Sequence, residues 1–169
     1  MTGNLTTLLI AHDSSPELPS LRETILSFTV EVGPVPTGRT NPDNQPAGRN
    51  RPCTTEEPLT ATSLEVALSE IKTGCFPDLV IVYQGVPDEF PQSQIDELIG
   101  LLPLARFIVA FSPWCESIGR TEQRWPIAWC VPIRHARTRL VEEITALRGG
   151  EPASPPTTSR DEAFSACAS

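Results

Sequence analysis

Lysine is almost absent from this chain: of 13 basic residues only Lys72 is lysine, which reads as the imprint of a GC-rich bacterial genome. No stretch approaches the ~20 consecutive apolar residues that a membrane-spanning helix needs. Met1 to Ala11 has neither a basic start nor a long apolar core, so no signal peptide is expected. A soluble, cytoplasmic protein follows as the expectation. Excess positive charge is also missing: 21 acidic residues against 13 basic ones leave a formal net charge of -8. That balance argues against a general nucleic-acid-binding surface. The five cysteines are odd in number and contain no C-x-x-C pair, so mostly free thiols are expected in a reducing compartment. Cys53, Cys75, Cys130 and Cys167 show no zinc-ligand spacing with one another or with the histidines, and no metal or cofactor is expected. There is no Gly-rich phosphate loop, no G-x-S-x-G elbow and no basic-aromatic RNA motif. Walker-type, serine-hydrolase and RNA-binding chemistry therefore have no support.

The chain does contain alternating strand and helix patterns. Its 169 residues suit one domain of ordinary size. Thr6 to Ala11 is a short apolar run, consistent with a strand buried on both faces. Ser14 and Glu17 have capping-box spacing, and Leu18, Leu21 and Ile25 then recur at helical spacing. Phe28 to Val32 predicts a second strand. Thr62 with Glu65 predicts the next capping box, followed by a helix through Leu64, Ala67, Leu68 and Ile71 and a stop at Gly74. Leu79 to Tyr83 predicts the third strand, and a helix preceded by Ser93 follows. Phe107 to Phe111 and Ile127 to Val131 predict the fourth and fifth strands. Leu140, Ile144 and Leu147 mark a last helix that ends at Gly149-Gly150.

Between Gly33 and Pro58 stand six prolines and three glycines, with too few apolar residues to offset the entropy of ordering them. This predicts a disordered insertion at 33–58, mildly basic through Arg39, Arg49 and Arg51. The Pro/Ser/Thr/Ala-rich segment 149–169 predicts a disordered tail. The organisation is thus a single domain over 1–148. Strands alternating with helices imply an α/β fold: a five-stranded parallel sheet in the flavodoxin-like order 2-1-3-4-5, with helices on both faces.

The segment Pro77-Asp78-Leu79-Val80-Ile81-Val82-Tyr83-Gln84-Gly85-Val86-Pro87 resembles the third strand of a bacterial response-regulator receiver domain, P-D-L-[VI]-[LI]-[LVM]-D-x-x-[ML]-P. The departure is Tyr83, which stands where the family has its phosphate-accepting aspartate. Three further segments fit the same pattern. Leu8 to Leu18 resembles the first strand and its acidic pair, with Asp13 keeping one acid and His12 replacing the other. Arg106 to Pro113 resembles the fourth strand, whose switch hydroxyl falls at Ser112 or, in a shifted alignment, at Phe111. Cys130-Val131-Pro132 resembles the fifth strand and its Lys-Pro, with Val131 in place of lysine. The departures all fall on chemistry. A receiver holds magnesium with three carboxylates, and only Asp13 remains. A phenol cannot form an acyl phosphate, and valine cannot neutralise one. The resemblance implies a degenerate receiver, or pseudo-receiver, that takes part in signalling by binding protein partners independently of phosphorylation.

Several residues carry two readings. His12, Asp13 and Tyr83 would meet at the carboxyl ends of adjacent strands, where this fold class places ligands. They would form a remodelled pocket, or Tyr83 would plug the empty phosphate pocket and bond to Asp13 or His12. Trp114, Cys115, Glu116, Arg120, Arg124 and Trp125 crowd a segment without clear helical periodicity. Trp and Arg are frequent binding hot spots. The bland alternative has both tryptophans covering a sheet edge, with Glu116 and Arg120 paired at helical spacing. Cys115 would act as a nucleophile only with a base such as His12 or His135 beside it. Arg134, His135, Arg137 and Arg139 open the last helix, where positive charge is mildly unfavourable. By resemblance, that surface serves homodimerisation and docking, and its charge suits an acidic partner. The bland alternative is a solvated helix face. The main expectation is a non-enzymatic interaction module. The other is a small ligand-binding protein or enzyme built on His12, Asp13, Tyr83 and Cys115.

Overall fold

The computed structural model describes residues 5–12, 16–29, 58–117 and 124–149. Apart from Pro58 and Gly149, the predicted insertion at 33–58 and tail at 149–169 lie outside these residues, as do Asp13 and Arg120. Five strands form one parallel sheet: β1 (Thr7–Ile10), β2 (Leu59–Ala61), β3 (Leu79–Gln84), β4 (Arg106–Phe111) and β5 (Trp129–Pro132). Their spatial order is β2-β1-β3-β4-β5, the expected one. Among the described residues four whole helices accompany them: α1 (Leu18–Thr29), α2 (Leu64–Lys72), α3 (Gln92–Leu101) and α4 (Ile133–Gly149).

The alternation of side chains along each strand sorts the core into two layers. Leu8, Val80, Val82, Phe107 and Val109 pack under α2 and α3. Leu9, Leu79, Ile81, Ile108 and Val131 pack under α1 and α4. Both faces are therefore covered, which is why the strands read as continuous apolar runs. Each fully buried Leu, Ile or Val contributes about 1.5–3 kcal/mol.

One element departs from expectation. Phe28 and Thr29 lie in α1, and the second strand is Leu59–Ala61. Phe28 follows Ile25 by three residues and so continues the helical spacing, which outweighs the β propensity of a short run. Leu59 to Ala61 pairs with β1 in the register Leu8↔Leu59 to Ile10↔Ala61. The cap of α2 also moves by one residue: the Ser63 hydroxyl, and not Thr62, accepts from the Val66 amide at 3.3 Å. Gly74, at φ 108°, ends that helix as expected, in a conformation that favours glycine.

Asp78 locks the entry to β3. Its carboxylate accepts from the Thr6 amide at 2.9 Å, while its own amide donates to the Thr6 carbonyl. At the same end of the sheet, buried Arg106 pairs with buried Glu143 of α4 at 2.7 Å. Arg139 also reaches Glu143, and its guanidinium lies 3.5 Å from the Trp129 ring centroid. The opposite end of the sheet, at the carboxyl ends of the strands, carries the candidate site.

Candidate functional site

Tyr83 sits in the last turn of the pleat before β3 ends, on the α1/α4 side. Its cross-strand neighbour on β4 is Ala110, whose own neighbour on β5 is Val131. A small residue beside Tyr83 leaves room for its ring. Tyr83 is 5% exposed, and its hydroxyl donates to Glu17 Oε2 at 2.8 Å. Among the described residues the partner of the phenol is Glu17, just before α1, in place of the expected His12; Asp13 lies outside the described residues. Burial, foremost, pushes the Tyr83 phenol well above its ordinary range, and the bond to Glu17 and the negative charges of Glu17 and Glu89 act in the same direction.

The strand then turns sharply. The Gly85 amide donates to Glu89 Oε2 at 2.6 Å, and the Val86 amide donates to the same oxygen at 3.3 Å. A Cβ at Gly85 would come within 3.3 Å of the Tyr83 ring, so glycine lets this turn pass close over the phenol. Ser112, at the end of β4, is buried, and its hydroxyl donates to the Gly85 carbonyl at 2.6 Å. Ser112 therefore fastens the two loops together. Val131 is buried in the apolar layer with Ala136 and Leu140, and offers no charge to the site.

Above Tyr83 opens a cleft of about 590 Å³. Tyr83, Glu17, Glu89 and Ser112 form its polar side, Pro16, Val86, Pro113 and Trp114 its apolar side, and His12 is an exposed residue at its edge. A smaller cleft of about 320 Å³ lies on the other side of Glu17, between α1 and the start of α4, bordered by Arg134 and Arg137. Among the described residues, no three His, Cys, Asp or Glu side chains come together as a metal site.

The Trp114–Trp125 segment divides in two. Trp114 is 80% exposed, but Trp125 is buried. Trp125 is thus a core residue and not a surface anchor. Its ring meets Phe90 edge-on at 6.2 Å, and its indole N–H donates to Gln84 Oε1 at 3.3 Å. Arg124 holds this corner closed by pairing with Asp88 and donating to the Phe90 carbonyl at 2.8 Å. Asp88 itself adopts a left-handed φ of 55°, which aspartate tolerates better than most residues. Glu116 pairs with Arg134 of α4, where Arg120 was expected. Arg137 is exposed, while Arg139 is drawn toward Glu143 and Trp129.

Cys115 is fully buried. Burial raises its thiol pKa, with Glu89 adding to the rise and the Ser112 hydroxyl pulling the other way. A buried thiol held in its neutral form is the opposite of an activated nucleophile. Cys75 is disulfide-bonded, whereas Cys115 and Cys130 carry no disulfide.

Glu17, Glu89 and Gln84 were not read as site residues from the sequence. Glu17 read as a helix cap, and its contact with Tyr83 spans 66 residues. No local signal announces such a pair.

No protein-family model matches the chain, and comparison with curated proteins finds no match. Solved structures do resemble it. A response regulator receiver protein from Sinorhizobium medicae WSM419 aligns with a TM-score of 0.51 and 12% identity, over 86% of this chain and 95% of that one. A two-component response regulator of the LuxR family from Aurantimonas sp. SI85-9A1 aligns with a TM-score of 0.51 and 13% identity, over 90% of this chain and 91% of that one. The RcsB response regulator of Salmonella typhimurium aligns with a TM-score of 0.53 and 15% identity, over 98% of this chain and 67% of that one. The chain has the receiver-like, flavodoxin-type fold. Among the described residues, no helix is long and apolar enough to cross a membrane.

Proposed function

We propose that this chain is a phosphorylation-independent pseudo-receiver, a non-catalytic interaction module in bacterial signalling or scaffolding. The observation that carries this reading is Tyr83. At the strand end where a receiver needs an aspartate nucleophile, the chain has a buried phenol whose proton is committed to Glu17. Phosphoryl transfer depends on a placed nucleophile and on cations that neutralise charge. Val131 supplies neither the charge nor the reach of a lysine, being buried among apolar side chains. The likeness in fold to response regulators supports a signalling role without supplying its chemistry.

The working surface in this reading is the exposed Trp114 together with the start of α4. Arg134 and Arg137 are exposed there, and Glu116 holds Arg134 in place. Positive charge on an acidic protein steers an acidic protein partner toward one face. The same face is available for homodimerisation. An amide NMR titration with magnesium and beryllofluoride tests the phosphate-independent part. No shifts at Tyr83, Gly85 or Ser112 are expected at millimolar ligand, and shifts clustered there would sink the reading. Replacing Trp114 and Arg137 by alanine should abolish partner capture, and unchanged capture would remove the surface assignment.

A second reading, a small-ligand site on the same fold, is favoured by the open cleft beside Tyr83. Its volume falls in the range of small-molecule pockets, roughly 300–1,000 Å³. Cys115 takes no part in this version, since its thiol is buried.

A further inference from the structure

The geometry points to an organic cation as the ligand of the cleft above Tyr83: a guanidinium or alkylammonium group carried on a small molecule with an apolar body. The inference rests on the second reading above and shares Trp114 with the interaction surface.

The charge of the lining is one-sided. Glu17 and Glu89 both border the cleft, and among the described residues no lysine or arginine does. Each carboxylate is positioned through one oxygen: Glu17 by the Tyr83 hydroxyl, and Glu89 by the Gly85 and Val86 amides. Such bonds hold the groups in place without neutralising them. Nearby groups respond to this negative field, since Glu17 and Glu89 both help to keep the Tyr83 phenol protonated, and Glu89 acts likewise on Cys115. Arg134 and Arg137 approach Glu17 only from the neighbouring cleft, and Arg134 is engaged by Glu116.

The opposite wall explains why the cation should be organic. Trp114 presents an indole that is 80% exposed, and Val86 beside the cleft is 55% exposed. Large apolar side chains left in water at the mouth of a cleft gain by covering an apolar body. An indole face also attracts a cation directly. A hydrated magnesium ion would use neither, and it would need a cluster of oxygen ligands. Among the described residues, no three metal-ligating side chains converge. A guanidinium or ammonium instead takes charge-assisted hydrogen bonds from its N–H groups to the carboxylates.

The test is an amide and indole NMR titration of the full chain with agmatine, with citrate and magnesium chloride titrated in parallel. Agmatine should shift Gly85, Val86 and the Trp114 indole saturably, with a dissociation constant below about 10 mM. Glu17→Gln and Glu89→Gln should each weaken binding about tenfold through loss of a charge-assisted contact. Trp114→Ala, at an exposed position that does not bear on folding, should weaken it about threefold through loss of a cation–π contact. Saturable binding of citrate without agmatine would overturn the cation assignment while leaving a ligand site. Magnesium displacing agmatine from the same residues would overturn it in favour of a divalent site. Absence of saturable shifts with all three probes would overturn both the inference and the ligand-site reading. Agmatine binding unchanged in all three variants would place it elsewhere and overturn the inference.

Discussion

Tyr83 is the only tyrosine in the chain, so tyrosinate absorbance reports on this one site without ambiguity. The perturbation is an alkaline titration of the wild type and of Glu17→Gln. In the folded protein burial is the largest influence that keeps the phenol protonated, followed by its bond to Glu17 and the charges of Glu17 and Glu89. The magnitude of the charge effect follows from the geometry. Two unit charges 2.8 Å apart repel by about 1.5 kcal/mol even at the dielectric of bulk water, roughly a factor of ten in the ionisation constant. The wild type should therefore show no tyrosinate through the ordinary tyrosine range near pH ~10, where the unfolded chain titrates. Because the folded midpoint is raised, the neutral phenol contributes stability that is fully present below the unfolded midpoint. That stability is lost as pH climbs from there toward the folded midpoint. Glu17→Gln keeps an acceptor for the hydroxyl but removes the charge, so its midpoint should fall by about a factor of ten in proton concentration while burial keeps it raised. Urea unfolding at neutral pH gives the companion number: Tyr83→Phe should cost about 1–2 kcal/mol with an unchanged denaturant slope. A wild-type phenol that titrates like free tyrosine in the folded state would refute the reasoning. So would a Glu17→Gln variant with an unmoved midpoint.

Three further outcomes follow from the packing. Glu143→Ala should destabilise the protein by about 3–5 kcal/mol in urea unfolding, because it removes the buried carboxylate that pairs with Arg106 and Arg139; replacing Arg106 and Glu143 together by methionine should recover much of that loss. Trp125→Ala should cost about 3–5 kcal/mol, whereas Trp114→Ala should stay within about 0.5 kcal/mol; thermal unfolding of the two variants separates the core residue from the exposed one. Cys115 should resist alkylation near neutral pH until denaturant is added, with half-buried Cys130 reacting first; rapid native-state labelling of Cys115, mapped by mass spectrometry, would contradict its burial and raised pKa.

The sheet order was legible because apolar runs and helical spacing are local signals. Leu79 to Tyr83 could be placed from five consecutive residues, and α2 from the repeat of Leu64, Ala67, Leu68 and Ile71. The second strand was misplaced because Leu59–Ala61 is three residues long and owes its existence to its neighbour β1. A strand that short has no pattern of its own to read. Its true position depends on which segment can reach the β1 edge in register, and that is decided by tertiary pairing.

The site was legible only as a subtraction. The sequence could show that Tyr83 and Val131 stand where chemistry was expected, because both fall inside recognisable strands. It could not show what took over, because the replacements come from the turns. Glu17 and Glu89 sit in segments whose local roles, a helix start and a loop, account for a carboxylate without further explanation. Their second role arises when α1 and the β3–α3 turn are brought to the same strand end. The two carboxylates then meet beside a phenol, one accepting its hydrogen bond and the other fixing the turn above it. The same convergence that protects the phenol from ionising leaves a negative floor beneath an exposed indole. The proposed loss of phosphate chemistry and the proposed cation-selective cleft therefore rest on one arrangement of Tyr83, Glu17 and Glu89. A single charge-removing change at Glu17 should weaken both: it should ease ionisation of Tyr83 and loosen the cleft's hold on a cation.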